Sequence, residues 1–330
     1  MGLLAECWAD NQHFPQQFTR NRMNSAKLKV LVYGATGVQS APVVRHLLAR
    51  GHQAFVLTRD AAKAAALQAA GATLIVGDPT DDAVCQRASQ GMDAVSLLVP
   101  FGAAEPLRLA RHAVAAARAA GVGLLVWNTS GYIPAAPTGN PAYDVRLDLR
   151  AHLQASGLPH ITLIPTVYAE NLLGPWTAPG LAAHQELAYP VPAELPVNWL
   201  PADDLGALTV AALERPQLAG RTFAVGGAEA LTGPGLAAAF SAGLNRPIRY
   251  RAMPPREFCA ILSQLAGPAM AEAVTRSYEL MWAGQDHYTQ FQADMPAVLR
   301  ELPVALTPLS EWAAQHARAF TPAAAGPASL

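Results

Sequence analysis

Val30–Leu48 reads VLVYGATGVQSAPVVRHLL. An apolar run stops at Gly34, turns through Gly-Ala-Thr-Gly, and restarts with Val43, Val44, Leu47 and Leu48 at helical spacing. The pattern predicts a buried strand, a tight turn and a helix over about 38–50. Gly34 ends the strand and Gly37 lets the backbone approach whatever lies above it. Thr36, Val38 and Gln39 bring the amides that open the helix to the same place. Such a helix end favours a phosphate through its free N–H groups and its dipole. A three-glycine version would carry glycine at 40; this chain has Ser40, which is small and bears a hydroxyl. Pro42 fits only the first helical turn. A plain strand-to-helix connection has the same outline. What favours a dinucleotide is the context, since the turn follows a strand, opens a helix and begins an alternating series.

That series continues through QAFVLT, ATLIVG, DAVSLLV, GLLVWNT and ITLIP, each an apolar run with a helical segment between it and the next. The segment after QAFVLT is alanine-rich and reads as one helix. Glycines at 51, 71, 91, 121 and 157 stand where each helix gives way to a strand. Strands that are apolar throughout, separated by helices, predict a parallel sheet covered on both faces. Right-handed crossovers make it α/β and doubly wound, of the Rossmann type. After about Leu172 the pattern changes, and prolines crowd the stretch 174–201, which is expected to hold no regular helix. Helices begin again near Asp203, Gly233 and Pro254, IRYRAMP reads as a short strand, and the tail LTPLSEWAAQHARAF is amphipathic with Ser310 as its cap. The expected organisation is a polar extension over 1–26, a dinucleotide-binding domain over 27–171, and a smaller C-terminal α/β lobe over 172–330 that returns some strands to the sheet.

The end of the second strand selects the nucleotide. An acidic residue there would hold a ribose diol. This chain has Thr58 and Arg59, with Asp60 one step on. The planar fork of Arg59 suits a 2′-phosphate, which points to NADP(H); a solvated arginine at a helix start is the plain alternative. Asp78, ending the third strand, either reads the adenine amino group or caps the next helix.

Hydrophobic residues make up 52% of the 330 and charged residues 14%, enough for a well-buried core. The formal net charge is −1 with no basic run, so nothing predicts a nucleic-acid or anionic-membrane surface. Cys7, Cys85 and Cys259 form no CxxC pair, and the histidines show no HxH or HxxxH spacing, so no disulfide framework or metal site is expected. His152 and His160 read as surface or packing residues. The N-terminal residues hold no sustained apolar run and no segment is long enough to span a bilayer, which fits a cytoplasmic protein; translation can start at Met1 or Met23.

GATGVQS, VLTRD, GATLIVGDPTD, LQASGLPHITLIPTVYAENLL, WLPADDLG, LTGPGLAAAFSAGLNRPIRY and LSEWAAQHARAF together resemble the NmrA-like branch of the atypical short-chain dehydrogenases, from about Lys27 to Phe320. The resemblance implies a Rossmann domain, NADP(H) preference and a substrate cleft between sheet and lobe. It leaves the activity open, because the branch holds quinone and enone-type reductases, plant ether reductases and regulators that bind dinucleotide without turning it over. Reducing relatives carry a lysine on the helix before ASGLP; here Arg146 takes that position. Arginine stays charged and is a poor general acid, although it can hold a cofactor ribose or polarise a carbonyl. Tyr143 lies three residues earlier and is the other catalytic candidate, either as a proton donor or as a wall of the cleft.

Thr129, Ser130 and Tyr132 follow the fifth strand at the carboxyl edge of the sheet, where they face the nicotinamide or form a Ser-Gly turn. Pro100 and Phe101 are expected to line the groove after the fourth strand, and Tyr168 and Asn171 the mouth of the cleft after the sixth. Asn171 can also cap the helix that follows, and Asp203 and Asp204 read as helix caps. Phe101, Tyr132, Tyr143 and Tyr168 would suit a flat apolar ring. The expected function is hydride transfer from NADPH to a small apolar carbonyl or quinone. The alternative is a non-catalytic NADP(H) sensor that acts on a protein partner.

Overall fold

The computed structural model describes residues 27–100, 103–284 and 288–321. The expectations for 1–26, Cys7 and Phe101 fall outside them. The first half alternates as β1 (Lys29–Val32), α1 (Ala41–Ala49), β2 (Gln53–Thr58), α2 (Ala65–Ala69), β3 (Thr73–Val76), α3 (Asp82–Ser89), β4 (Ala94–Leu98), α4 (Pro106–Ala119), β5 (Leu124–Asn128), α5 (Pro141–Ser156) and β6 (His160–Pro165). The second half adds β7 (Val167–Tyr168), α6 (Ala178–His184), β8 (Glu186–Tyr189), β9 (Val197–Leu200), α7 (Ala202–Leu213), β10 (Thr222–Val225) and β11 (Ala230–Leu231). It ends with α8 (Gly233–Leu244), β12 (Arg249–Ala252), α9 (Pro255–Ala266), α10 (Pro268–Trp282), α11 (Met295–Glu301) and α12 (Leu309–Gln315).

The main sheet has seven strands in the order β10-β6-β5-β4-β1-β2-β3, all parallel. The order reverses between β1 and β4, and ligands bind such sheets in the crevice outside the carboxyl ends at that point. One face is covered by α1, α7 and α11 through Val44, Leu47, Leu205, Leu208 and Val298. The other is covered by α3, α4 and α5 through Val84, Leu109, Val114, Leu149 and Leu153. β4 and β5 are buried along their whole length, as strands covered on both faces must be. β3 lies at the edge and leaves Thr73 and Val76 exposed. A separate apolar cluster gathers around Tyr189, Trp199, Phe240 and Trp312 in the second half, called the lobe.

The five helix-ending glycines take left-handed φ values of 69–111°. Several local expectations need correction. α1 starts at Ala41 rather than near 38, because the turn extends through Ser40 and leaves Pro42 in the first helical turn. The alanine-rich segment begins as a 3₁₀ turn over Ala62–Ala64 before the five residues of α2. The proline-crowded stretch contains α6, β8 and β9, with Pro179 tolerated in the first turn of α6, where its missing N–H is no loss. Ser310 lies inside α12, whose cap position is Pro308.

Asp203 and Asp204 do not cap α7 either, since Pro201 holds the cap position. Asp203 accepts from Arg45 at 2.8 Å and meets His46 at 3.0 Å. Asp204 is buried and accepts from the Thr307 amide and hydroxyl, both at 2.8 Å.

Candidate functional site

The turn after β1 is shaped for close approach. Gly34 has φ +70°, and a Cβ there would stand 3.3 Å from Leu98 Cδ2 at the end of β4. Gly37 donates to the Gly34 carbonyl at 3.0 Å, and its own Cβ would crowd that oxygen at 3.3 Å. Thr36, Gly37 and Val38 are exposed, Val38 to 63%. The amides of Thr36, Val38 and Gln39 have no hydrogen-bond partner among the described residues. Unpartnered donors at the start of a helix, beside a backbone without side chains, fit a pyrophosphate. Ser40 is buried between helix and strand and makes no capping bond.

Beyond β2, Arg59 is exposed. Asp60 Oδ1 is occupied, accepting from the Ala62 and Lys63 amides. Asp78 neither caps α3, which Asp81 does through Ala83, nor has both oxygens free for a base. Its Oδ1 accepts from the Thr80 amide and hydroxyl, which hold its carboxyl below the usual range.

A polar network joins this turn to the end of β5. Gln39 Nε2 donates to Ser130 Oγ at 2.9 Å, and Asn128 Nδ2 donates to Gln39 Oε1 at 3.2 Å. The Ser130 amide donates to Asn128 Oδ1 at 2.8 Å. Tyr168 donates to Gln39 Oε1 at 3.0 Å. Tyr168 is therefore not at the mouth of the cleft. It is buried, its hydroxyl faces the network, and burial pushes its pKa up. Asn171 also points elsewhere, donating to the Tyr189 hydroxyl at 3.4 Å from inside a 3₁₀ turn over Ala169–Leu173. Asn128, the hub of the network, carries no weight in the sequence reading. Its one signal is that it is the sole polar residue in the otherwise apolar run of β5.

Ser130 has φ +58° and Gly131 φ +139°, so the chain after β5 bends sharply. Arg146 holds that bend. Nε donates to the Thr129 carbonyl at 2.8 Å, Nη2 to Ser130 O at 3.3 Å and Nη1 to Tyr132 O at 3.4 Å. A Cβ on Gly131 would make only ordinary contact with the guanidinium, 3.5 Å from Nη2, so it is the positive φ that favours glycine there. The Arg146 side chain is buried, at 7% exposure, and burial lowers its pKa, although arginine remains charged. Tyr143 packs its ring under the guanidinium, 5.4 Å from Cζ, and against the Tyr132 ring at 5.2 Å. Its hydroxyl meets Ser277 Oγ at 3.4 Å. Burial raises the pKa of Tyr132.

Beside the bend lies a cavity of about 420 Å³, between the carboxyl edge of β4 and β5, α5, and α10 of the lobe. Its walls are mostly apolar, among them Val99, Trp127, Leu149 and Met270, and its polar side is Thr129, Ser130, Asn140 and Arg146. Of the expected site residues, Pro100, Ser130 and Arg146 line it, whereas Tyr132 and Tyr143 stack next to it. Met270 and Ala273 enter from a helix that the sequence gives no reason to place here. Among the described residues no group of histidine, cysteine and carboxylate side chains is arranged to hold a metal ion, and no helix is long and apolar enough to cross a membrane.

The profile of the NmrA-like family matches residues 26–313. The chain is 30% identical over 293 residues to an NAD(P)H azoreductase of Xenophilus azovorans, spanning 88% of this chain and 99% of that protein. It is 29% identical over 294 residues to a (4-alkanoyl-5-oxo-2,5-dihydrofuran-3-yl)methyl phosphate reductase of Streptomyces griseus, spanning 89% and 99%. Among solved structures, an NADPH-dependent quinone oxidoreductase of Escherichia coli complexed with NADPH superposes with a TM-score of 0.71 at 22% identity, over 87% of this chain and 99% of that one. The negative transcriptional regulator NmrA in complex with NADP gives 0.70 at 19%, over 88% and 95%. At these identities the two structures show the fold alone.

Proposed function

Because the chain belongs to the NmrA-like family, we propose that it is an NADPH-dependent oxidoreductase that delivers hydride to a small, largely apolar quinone or carbonyl acceptor. The observation that carries this reading is the bond from Gln39 to Ser130. It ties the phosphate-binding turn to the wall of a cavity large enough for a flat ring. A protein that only senses dinucleotide has no need of a second apolar cavity beside it.

NADPH, when bound, supplies the hydride. The chain's residues do the rest. The amides of Thr36, Val38 and Gln39 would hold the pyrophosphate, and Arg59 would take the 2′-phosphate. Ser130, fixed by Gln39 and Asn128, sets the edge against which the reacting ring lies, and Arg146 holds the bend that presents it. The cavity excludes water from its apolar side. Arg146 is a poor acid and the Tyr143 hydroxyl donates to Ser277 Oγ, which supports an acceptor that needs no general acid from either. A quinone tolerates this by taking its proton from water, whereas an aldehyde needs the general acid, worth about 10²–10⁴-fold. The free thiols of Cys85 and Cys259 fit a reducing, cytoplasmic setting.

The test is NADPH oxidation with a panel of quinones, enones and aldehydes, with Gly34→Trp as the cofactor-site control. Quinone turnover above that control, with aldehydes slower by about 10²-fold or more, is expected. No turnover across the panel would refute the reading.

A further inference from the structure

Among the described residues that line it, the cavity beside the β5 bend has no counter-charge to its one charged wall. Arg146 is the only charged side chain among the described residues that line it. Among the described residues no carboxylate lies within 4 Å of its guanidinium, and its bonds go to backbone carbonyls. A guanidinium carries five N–H donors. Three reach the carbonyls of Thr129, Ser130 and Tyr132, and the Nη1 and Nη2 bonds are long, at 3.4 and 3.3 Å. The other N–H of each terminal nitrogen has no partner among the described residues. The remaining wall is apolar or neutral, and the side chain is more than nine-tenths buried.

A buried permanent charge is disfavoured unless it is paired. Carbonyl dipoles and the Tyr143 face compensate it in part. Holding the bend alone does not demand a full charge, since neutral donors also bind carbonyls. The residue type matters most if a ligand brings the opposite charge. A planar fork with two unpartnered N–H bonds matches a carboxylate or sulfonate in two-point contact.

We propose that this cavity selects anionic acceptors: a flat apolar body bearing a carboxylate or sulfonate that seats on Arg146. The apolar walls take the ring, and the fork takes the anion. Asn140 stands on the same wall, with its Nδ2 given to the Ala273 carbonyl at 3.2 Å, so it ties α10 to the site. The proposal rests on the oxidoreductase reading for the word acceptor; the anion site itself does not depend on turnover.

The test measures binding first, by calorimetry on protein saturated with NADP⁺. The probes are naphthoate and its neutral counterpart naphthamide, which have nearly the same shape. Naphthoate should bind about tenfold or more tightly, with the difference shrinking as salt is raised. Arg146→Gln should abolish the preference, and Arg146→Lys should keep part of it because the charge remains. Equal binding of the two probes, or a preference that survives in Arg146→Gln, would overturn the proposal. If Arg146→Gln does not fold, the wild-type difference and its salt dependence decide. A kinetic arm compares naphthoquinone with naphthoquinone sulfonate. Turnover of the neutral quinone without any anion preference keeps the reductase and removes the anion site. Anion preference in binding without turnover of either quinone does the reverse.

Discussion

Arg59 and Arg146 show how far a single residue type carries. Arg59 is exposed beyond β2, and Asp60, the nearest alternative for a ribose diol, is occupied with the Ala62 and Lys63 amides. If Arg59 reads the 2′-phosphate, Arg59→Ala should weaken NADPH by on the order of ten- to a hundredfold and leave NADH nearly unchanged, from the loss of a charge-assisted contact of about 1.5–3 kcal/mol. Calorimetric titration of both cofactors checks it, and an unchanged ratio would count against the assignment. At this scale the sequence is legible where backbone geometry dictates residue type, as at Gly34, whose φ is +70°. It is not legible where a side chain's direction depends on tertiary neighbours. Tyr168 follows β6, the strand expected to open the cleft, yet it points inward because Gln39 and Asn128 offer its hydroxyl a buried partner. Asn128 shows the converse: besides the Ser130 amide two residues on, its partners Gln39 and Tyr168 lie 89 and 40 residues away in sequence.

Among the elements, α7 carries a pH signal in the weakly acidic range. It is buried almost throughout, and Asp204 in its first turn is held up to about 6, chiefly by burial and against the lowering effect of the Thr307 donors. In the unfolded chain an aspartate titrates near 3.9. The folded protein therefore binds this proton more tightly than the unfolded chain. The stability it contributes is complete below about pH 4 and is lost as pH rises through about 6. Burial raises Glu170 as well, so it acts in the same direction. Asp204→Asn should flatten the fall of thermal stability between about pH 4 and pH 7 by on the order of 2 kcal/mol without removing it. Melting curves across that range test this; an unaltered slope would mean that Asp204 titrates as an ordinary carboxylate. Element boundaries show the same division between local and tertiary causes. Glycine ends were readable from the chain alone, whereas α6 inside the proline-crowded stretch depends on packing Leu181 into the lobe core.

For the whole molecule, the alternation of apolar strands and helices made the parallel sheet readable, because burial on both faces leaves a continuous apolar signature. What it could not show is how the second half closes the first. β10 pairs with β6 at the end of the sheet, α7 covers one face, and α10 brings Met270 and Ala273 to the cavity. These contacts span long stretches of chain and leave no local period. Gly206 is one trace of them, since a Cβ there would stand 2.6 Å from Pro42 Cβ where α7 crosses the start of α1. The central claim is that hydride leaves a cofactor seated on the Gly34 turn for an acceptor in the cavity between sheet and lobe. Ala273 is half-buried on that wall, so Ala273→Trp fills the cavity without touching the turn. The most direct measurement is NADPH oxidation with naphthoquinone in wild type and Ala273→Trp, alongside calorimetric NADPH affinity for both. Turnover is expected in wild type, and in the variant unchanged NADPH affinity with turnover reduced by about tenfold or more. Full turnover with the cavity filled, or none in wild type, would contradict it.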